Sequence, residues 1–147
     1  MSTVTAETVE RARYAEWSAL VAQSPDGCIY AQPEYLDALT RATGARYRII
    51  GIRRAGVLVG GVALYETESR LLGRRAGPRL LLYYHGPVRA PYPGGYPSER
   101  TARDVEALTA LAEHLRGLGH DAITLKSRST LQDVRPFLSL GWTAYPS

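Results

Sequence analysis

Residues 46–65 read RYRIIGIRRAGVLVGGVALY, two apolar runs separated by a short polar break. Strand-forming residues dominate both halves, 46–53 and 57–65, and the connection between them ends in Gly56. This pattern predicts a β-hairpin with glycine at the turn. The paired glycines Gly60-Gly61 interrupt the second strand, which predicts a bulge or the close approach of another backbone at that point.

The rest of the chain supplies helices and further strands around this hairpin. Helical spacing of apolar residues predicts helices at 5–22, 33–43, 98–118 and, in short form, 133–140. A continuous apolar run predicts a central strand at 79–84, a second pattern predicts one at 121–126, and 142–145 starts a last strand. The predicted order is α-α-β-β-β-α-β-α-β. This order indicates an α/β (α+β) fold with a mixed sheet flanked by helices.

Two intervening segments read as irregular. Residues 66–77 are predicted to form an exposed excursion between strands. Residues 86–97 are rich in proline and glycine and are predicted to form a loop without regular structure.

Length and composition indicate a soluble globular protein. The chain has 147 residues, of which 45% are hydrophobic and 22% charged, which suits a single domain. No apolar run is long enough for a membrane span, and the N-terminus lacks a signal pattern, so a cytoplasmic location is expected. The single cysteine, Cys28, excludes a disulfide within the chain and a cysteine-based zinc site.

The cations are almost all arginine. The net charge is +4, and Lys126 is the only lysine. A genome whose codons favour arginine explains this bias; recognition of anions is the alternative, because guanidinium binds carboxylate or phosphate through two parallel bonds. The one local cluster consists of Arg74, Arg75 and Arg79. No basic run is interleaved with aromatic residues, so no specific nucleic-acid partner is expected.

The predicted order of elements resembles the GNAT fold, and four stretches resemble one branch of it. These are IYAQPEYL at 29–36, GVLVGGVALY at 56–65, YYHGP at 83–87, and 133–142, where DVRPF leads to the final Gly-Trp. The branch is that of the FemAB-like (Fem/BioF2-like) acyl- and aminoacyltransferases, which carry two GNAT-like lobes in tandem. The stretch 133–142 resembles the close of the N-terminal lobe.

The resemblance implies that residues 1–147 form a single GNAT-like lobe, the N-terminal half of a two-lobe acyltransferase. The intact family transfers an acyl or aminoacyl group from acyl-CoA or aminoacyl-tRNA to an amine, in cell-wall or exopolysaccharide biosynthesis. Its donor site usually lies in the second lobe. The implied partner is therefore a second lobe or another copy in a homodimer, with no cofactor in this lobe and no activity of the lobe alone.

Two departures from related patterns support the absence of a cofactor here. GNAT enzymes hold the coenzyme A pyrophosphate on backbone amides of a glycine-rich turn that opens a helix. The equivalent turn here is 93–98, where Pro93 and Pro97 each remove an amide donor. Members of the branch that use lipid-linked precursors often have a lysine after the helix-entry motif, and this chain has Asp37-Ala38 there.

His85 is the best titratable candidate for catalysis, because it follows a predicted strand and precedes a Gly-Pro loop. Tyr83 and Tyr84 are candidates for lining a substrate groove, and Lys126 and Arg128 for meeting a phosphate at a strand end. The simpler explanations are a hydrogen-bonded strand-end histidine, tyrosines used in packing, and a solvated basic turn. The three histidines have no metal-binding spacing.

Two other functions remain open from the sequence. The chain is alternatively a non-catalytic interaction or dimerisation module with the same fold. A small complete GNAT enzyme is the third possibility, and it predicts measurable binding of coenzyme A.

Overall fold

The computed structural model describes residues 4–92 and 95–145. The strands and helices follow in the order β1 (Val4–Thr8), α1 (Tyr14–Gln23), α2 (Pro33–Thr43), β2 (Arg46–Arg54), β3 (Val57–Ser69), β4 (Gly73–Ala76), β5 (Val88–Arg89), α3 (Pro97–Gly117), β6 (Ala122–Ile123) and α4 (Arg135–Leu138). Single 3₁₀ turns precede α1 and α2, at Arg11–Arg13 and Ile29–Ala31.

One mixed sheet carries these strands. The order across it is β1-β2-β3-β4-β6, and β5 also pairs with β3. All pairs are antiparallel except β4 with β6, which is parallel. The α/β class and the mixed sheet flanked by helices are thus confirmed, and so is the hairpin of β2 and β3.

Strand β3 has two neighbours along the same edge. Gly60 and Gly61 pair with β5, whereas residues 66–69 pair with β4. A side chain at Gly60 would lie 2.9 Å from the carbonyl oxygen of Val88. Gly61 has φ of 156° and faces the ring of Trp17. The predicted close approach of another backbone is confirmed, since only glycine leaves room for β5 and the tryptophan.

A hydrophobic core covers each face of the sheet. Helices α1 and α2 pack on one face, where Trp17 and Leu36 are fully buried against β2 and β3. Helices α3 and α4 pack on the other, where Leu111 and Phe137 meet the opposite side of the same strands. Successive residues of β2, such as Ile49 and Ile50, therefore serve different cores, as the two-residue period of a strand requires.

The N-terminal segment differs from the predicted helix at 5–22. Residues 4–8 form the edge strand β1, paired with β2 along its whole length, and α1 begins only at Tyr14. The β-branched residues Val4, Thr5 and Thr8 suit a strand better than a helix. At the other end, 142–145 form no strand.

The region after β3 also differs from prediction. Residues 66–69 and 73–76 continue the sheet as a hairpin instead of leaving it. The apolar run at 79–84 is not a strand: the amide of Leu82 donates to the carbonyl of Arg79 at 2.9 Å, which closes a tight turn. Leu80 and Leu81 lie at the tip of that turn and are exposed, and only Leu82 enters the core. Within the described residues, no helix is long and apolar enough to cross a membrane.

Candidate functional site

His85 lies beside the segment that follows β6, at one end of the sheet. Its backbone forms a paired bridge with Lys126, with N–H to O distances of 3.0 and 2.7 Å. This bridge places the stretch around residue 84 next to the stretch around residue 127. The predicted site residues, which are far apart in sequence, are brought together by it.

The imidazole of His85 spans the gap between β3 and the segment that follows β6. Its Nε2 accepts a hydrogen bond from the backbone N–H of Tyr65 at 2.9 Å, so the ring proton must lie on Nδ1. Nδ1 then donates to the carbonyl oxygen of Thr124, also at 2.9 Å. Burial lowers the pKa of His85 to about 4, although the bond to Thr124 opposes this shift. The ring is therefore neutral at pH 7.

This geometry limits what His85 can do. The residue is only 3% exposed, and both ring nitrogens are bound to backbone groups. Neither nitrogen is free to take a proton from a substrate amine. The arrangement favours a positioning role over the catalytic role that the sequence suggested, because the ring holds β3 and the segment that follows β6 together.

The other four predicted residues form a single cluster, which we call the cation–tyrosine cluster: Tyr83, Tyr84, Lys126 and Arg128. The ammonium of Lys126 lies 3.9 Å from the ring centre of Tyr83, and the guanidinium of Arg128 lies 5.8 Å from that of Tyr84. The two tyrosine rings meet edge to face, 5.0 Å between centres. Two cations thus lie on adjacent phenol faces, which is an arrangement that holds positive charge near a surface.

A buried ionic network closes the space beside this cluster. Asp26, in the loop between α1 and α2, is 4% exposed. It accepts hydrogen bonds from Arg89 on β5 and from the hydroxyl of Thr130. Arg89 also donates to Asp104 on α3 at 2.9 Å. Arg128 adds a bond to the carbonyl of Gly27, so the loop is held from two sides.

Between the network and the cluster lies a small cleft. Its walls include Cys28, Tyr30, Tyr84, His85 and Lys126. The cavity measures about 10 Å³, which is room for about one water molecule. In this conformation the cleft is too small to hold a thioester or an amine substrate.

The helix end that binds pyrophosphate in GNAT enzymes has a different character here. Pro93 and Gly94, the first half of the predicted turn, lie outside the described residues. Next to them, the carboxylate of Glu99 and the ring of Tyr92 fill the space above Gly95. Helix α3 opens with Pro97, which has no amide hydrogen. The carboxylate of Glu99 close to Gly95 puts a negative charge at this helix end, which disfavours a pyrophosphate.

No protein-family profile and no curated protein matches this sequence. Among solved structures, the chain is similar to the ribosomal-protein-alanine N-acetyltransferase of Brucella melitensis biovar Abortus 2308. The TM-score is 0.53 with 17% identity, over 99% of this chain and 98% of that one. It is also similar to an acetyltransferase of Trypanosoma brucei, with a TM-score of 0.50 and 15% identity, over 98% and 95% of the two chains. The chain therefore has the fold of GNAT acetyltransferases.

Sequence reasoning missed the Asp26 network. The motif around Asp26 (Ser24-Pro25-Asp26-Gly27) indicates a turn, and nothing local shows that its carboxylate is buried. Arg89 follows the Gly86-Pro87 pair, and the sequence around it does not indicate a buried carboxylate partner either. Their pairing depends on β5 docking against Gly60 and Gly61, and the paired glycines were the one feature that pointed to that contact.

Proposed function

We propose that this chain is one lobe of a GNAT-fold acyltransferase that passes an acyl or aminoacyl group to an amine. Its own part is to hold an anionic portion of a substrate at the cation–tyrosine cluster. The single observation that supports this most is the convergence of Lys126 and Arg128 on Tyr83 and Tyr84, beside a cleft of an acetyltransferase-like fold.

The chemistry of the cleft favours a lobe that is inactive alone. Proton removal from an amine needs a base that is unengaged or becomes so. Asp26 is committed to Arg89 and Thr130, and both nitrogens of His85 are bound to backbone. The base and the oxyanion donors are then expected from a second lobe, as in the FemAB-like enzymes that the sequence resembles.

The donor is also expected to bind elsewhere. The Glu99 carboxylate at the start of α3 repels a pyrophosphate, and the prolines reduce the number of amides that would hold it. An acyl-CoA donor bound by the second lobe fits this arrangement, with an aminoacyl-tRNA as the alternative. Cell-wall or exopolysaccharide biosynthesis is the process that the resemblance suggests, since acceptors there carry phosphate or carboxylate groups.

The test is to compare the chain alone with the chain co-expressed with a second lobe encoded beside it. The rate of acetyl transfer is measured from the release of the CoA thiol. The amine acceptors are used in matched pairs, with and without a phosphate group. We expect activity only when both lobes are present. Replacing Lys126 and Arg128 by glutamine should lower kcat/KM for the phosphorylated acceptor at least about tenfold.

The control for this experiment is Arg135→Gln, which removes one exposed cation outside the cluster and should leave kcat/KM for both acceptors unchanged. The neutral acceptor should be used equally well by the Lys126/Arg128 variant. Stoichiometric, tight binding of acetyl-CoA by the chain alone in calorimetry would contradict the proposal and indicate a complete enzyme.

A non-catalytic interaction module is the second candidate, and exposed leucines favour it. Leu71 and Leu72 lie at the tip of the β3–β4 hairpin, and Leu80 and Leu81 lie at the next turn, all of them exposed. Light scattering of the purified chain distinguishes the two functions. A stable homodimer that Leu71→Ser dissociates, together with no transfer activity in the two-lobe assay, would favour the module.

A further inference from the structure

A second, larger groove shares no wall residue with the cleft. It is formed where α2 ends and where β2, β3 and β4 meet, and its volume is about 410 Å³. Its polar and charged walls include Thr43, Arg46, Glu66, Glu68, Arg74 and Arg79.

Arginine charge in this groove is only partly neutralised. Arg46 lies 3.7 Å from Glu68, and Arg74 lies 3.9 Å from Glu66. Glu66 is already held by two hydrogen bonds from Arg48, at 3.1 and 3.3 Å. The ion pair of Arg74 with Glu66 is therefore weak, and the positive charge of Arg74 is only slightly neutralised by it.

Arg79 has no carboxylate partner among the described residues. Its Nη1 donates to the phenol oxygen of Tyr65 at 2.9 Å, and its guanidinium also lies near that ring. A phenol does not neutralise a guanidinium. The remaining N–H groups of Arg79 are thus available at the groove wall.

A count of hydrogen atoms shows that the groove also holds a spare hydroxyl donor. Tyr65 and Thr43 share one hydrogen bond of 2.7 Å between their oxygens. Their other partners within residues 4–92 and 95–145 are donors: Arg79 gives to Tyr65, and the amide of Ala45 gives to Thr43. Only one of the two hydroxyl hydrogens lies in this bond, so the other is left without an acceptor among these residues. When Tyr65 donates, the spare hydrogen is that of Thr43, which lines the groove.

From this geometry we propose that the groove binds a small oxyanion, a carboxylate or phosphate group. The anion accepts the spare hydroxyl hydrogen of the Thr43–Tyr65 pair and bonds from Arg79 and Arg74. An oxyanion suits this site because it accepts several hydrogen bonds and supplies the missing negative charge. The proposal uses two of the three arginines of the cluster at 74–79, and Arg75 is not part of the wall.

The experiment is a calorimetric titration of the purified chain with inorganic phosphate and, separately, with acetate, at low ionic strength. It is carried out in the variant with Lys126 and Arg128 replaced by glutamine, so that the cation–tyrosine cluster contributes nothing. We expect saturable binding of one anion per chain. Arg79→Gln should weaken it at least about tenfold, and Thr43→Val, which keeps the shape, about fivefold.

Arg75→Gln is the matched control, since it removes one guanidinium charge from β4, close in sequence to Arg79 but outside the groove wall. It should change the affinity less than about twofold. Absence of saturable binding of either anion would overturn the proposal, as would an equal loss in Arg75→Gln and Arg79→Gln, which would indicate diffuse attraction. Circular dichroism of each variant separates loss of the site from loss of the fold, and the acyl-transfer assay is not involved.

Discussion

Asp26 and Arg89 are joined by three hydrogen bonds, two from the guanidinium at 2.7 and 3.0 Å and one from the backbone amide at 3.0 Å. Asn in place of Asp26 would leave Arg89 without its main counter-charge in a half-buried position. We expect Asp26→Asn to lower the free energy of unfolding by about 3 kcal/mol. Denaturant unfolding followed by circular dichroism measures the change.

An exposed ion pair provides the comparison. Asp133 and Arg135 are bonded at 2.6 Å on the surface, so Asp133→Asn should cost less than about 1 kcal/mol. Burial alone would raise the pKa of Asp26, but the bonds from Arg89 and Thr130 outweigh it, and the pKa lies below the usual 3.8. The contribution of Asp26 is therefore complete above 3.8 and is lost at lower pH. Equal losses of unfolding free energy in Asp26→Asn and Asp133→Asn would argue against the buried network of Asp26.

His85 gives the protein a second pH dependence. Its pKa falls from 6.5 to about 4 on folding, because burial penalises the charged ring. Between these values the unfolded chain binds a proton that the folded chain does not, so stability should fall as the pH drops from 6.5 to 4. The slope is up to about 1.4 kcal/mol per pH unit from this residue. His85→Ala should remove this part of the slope and lower stability at pH 7 by about 2–4 kcal/mol.

NMR titration of the imidazole is the direct measurement. The chemical shifts of the His85 ring should remain those of the neutral Nδ1–H form down to about pH 5. A midpoint near 6.5 would mean that the ring is hydrated and that its two backbone bonds are absent.

Gly61 should be intolerant of any side chain. A Cβ there would lie 2.8 Å from the ring of Trp17 and even closer to the carbonyl oxygen of Ile50, at φ of 156°. We expect Gly61→Ala to lower the free energy of unfolding by about 3 kcal/mol or more. Gly117 near the end of α3 has open space around it, so Gly117→Ala should be neutral or stabilise by up to about 1 kcal/mol. Thermal unfolding of both variants decides the point.

Leu81 offers a stabilising substitution. It has φ of 70° and is 67% exposed, so it carries the strain of a left-handed conformation with little burial in return. Leu81→Gly should therefore raise the unfolding free energy by about 1 kcal/mol. Leu80→Gly, at the preceding position with negative φ, should not stabilise. An identical response of the two variants would contradict the strain.

Local pattern predicted those parts of the fold whose partners are close in sequence. The β2–β3 hairpin, α2 from Pro33 to Thr43, and α3 follow from alternation, helical spacing and helix-ending residues. Strand β1 was missed because it gains stability only by pairing with β2, far along the chain. The composition of the run at 79–84 predicts a central strand. Its turn is fixed by distant contacts instead, such as the bond from the Tyr35 hydroxyl to the Leu81 carbonyl.

The candidate site follows the same division. Residue type alone pointed to Lys126, Arg128 and the two tyrosines as single candidates. These four residues lie close together because of the backbone bridge between His85 and Lys126, which no local sequence pattern predicts. Asp26 and the spare hydroxyl hydrogen at Thr43 emerge only from a complete count of partners in three dimensions.

The imidazole of His85 bonds the amide of Tyr65 and the carbonyl of Thr124, which in a regular sheet would bond to the backbone of a neighbouring strand. Main-chain ladders separate only when a strand peels away, but a side chain leaves by a change of rotamer. The amide proton of Tyr65 is thus protected by its hydrogen bond to the His85 ring. Its rate of exchange with solvent measures how often that bond breaks. A rotation of the ring about its two side-chain bonds would expose that amide while the pairing of β3 with β4 and of β4 with β6 stays intact.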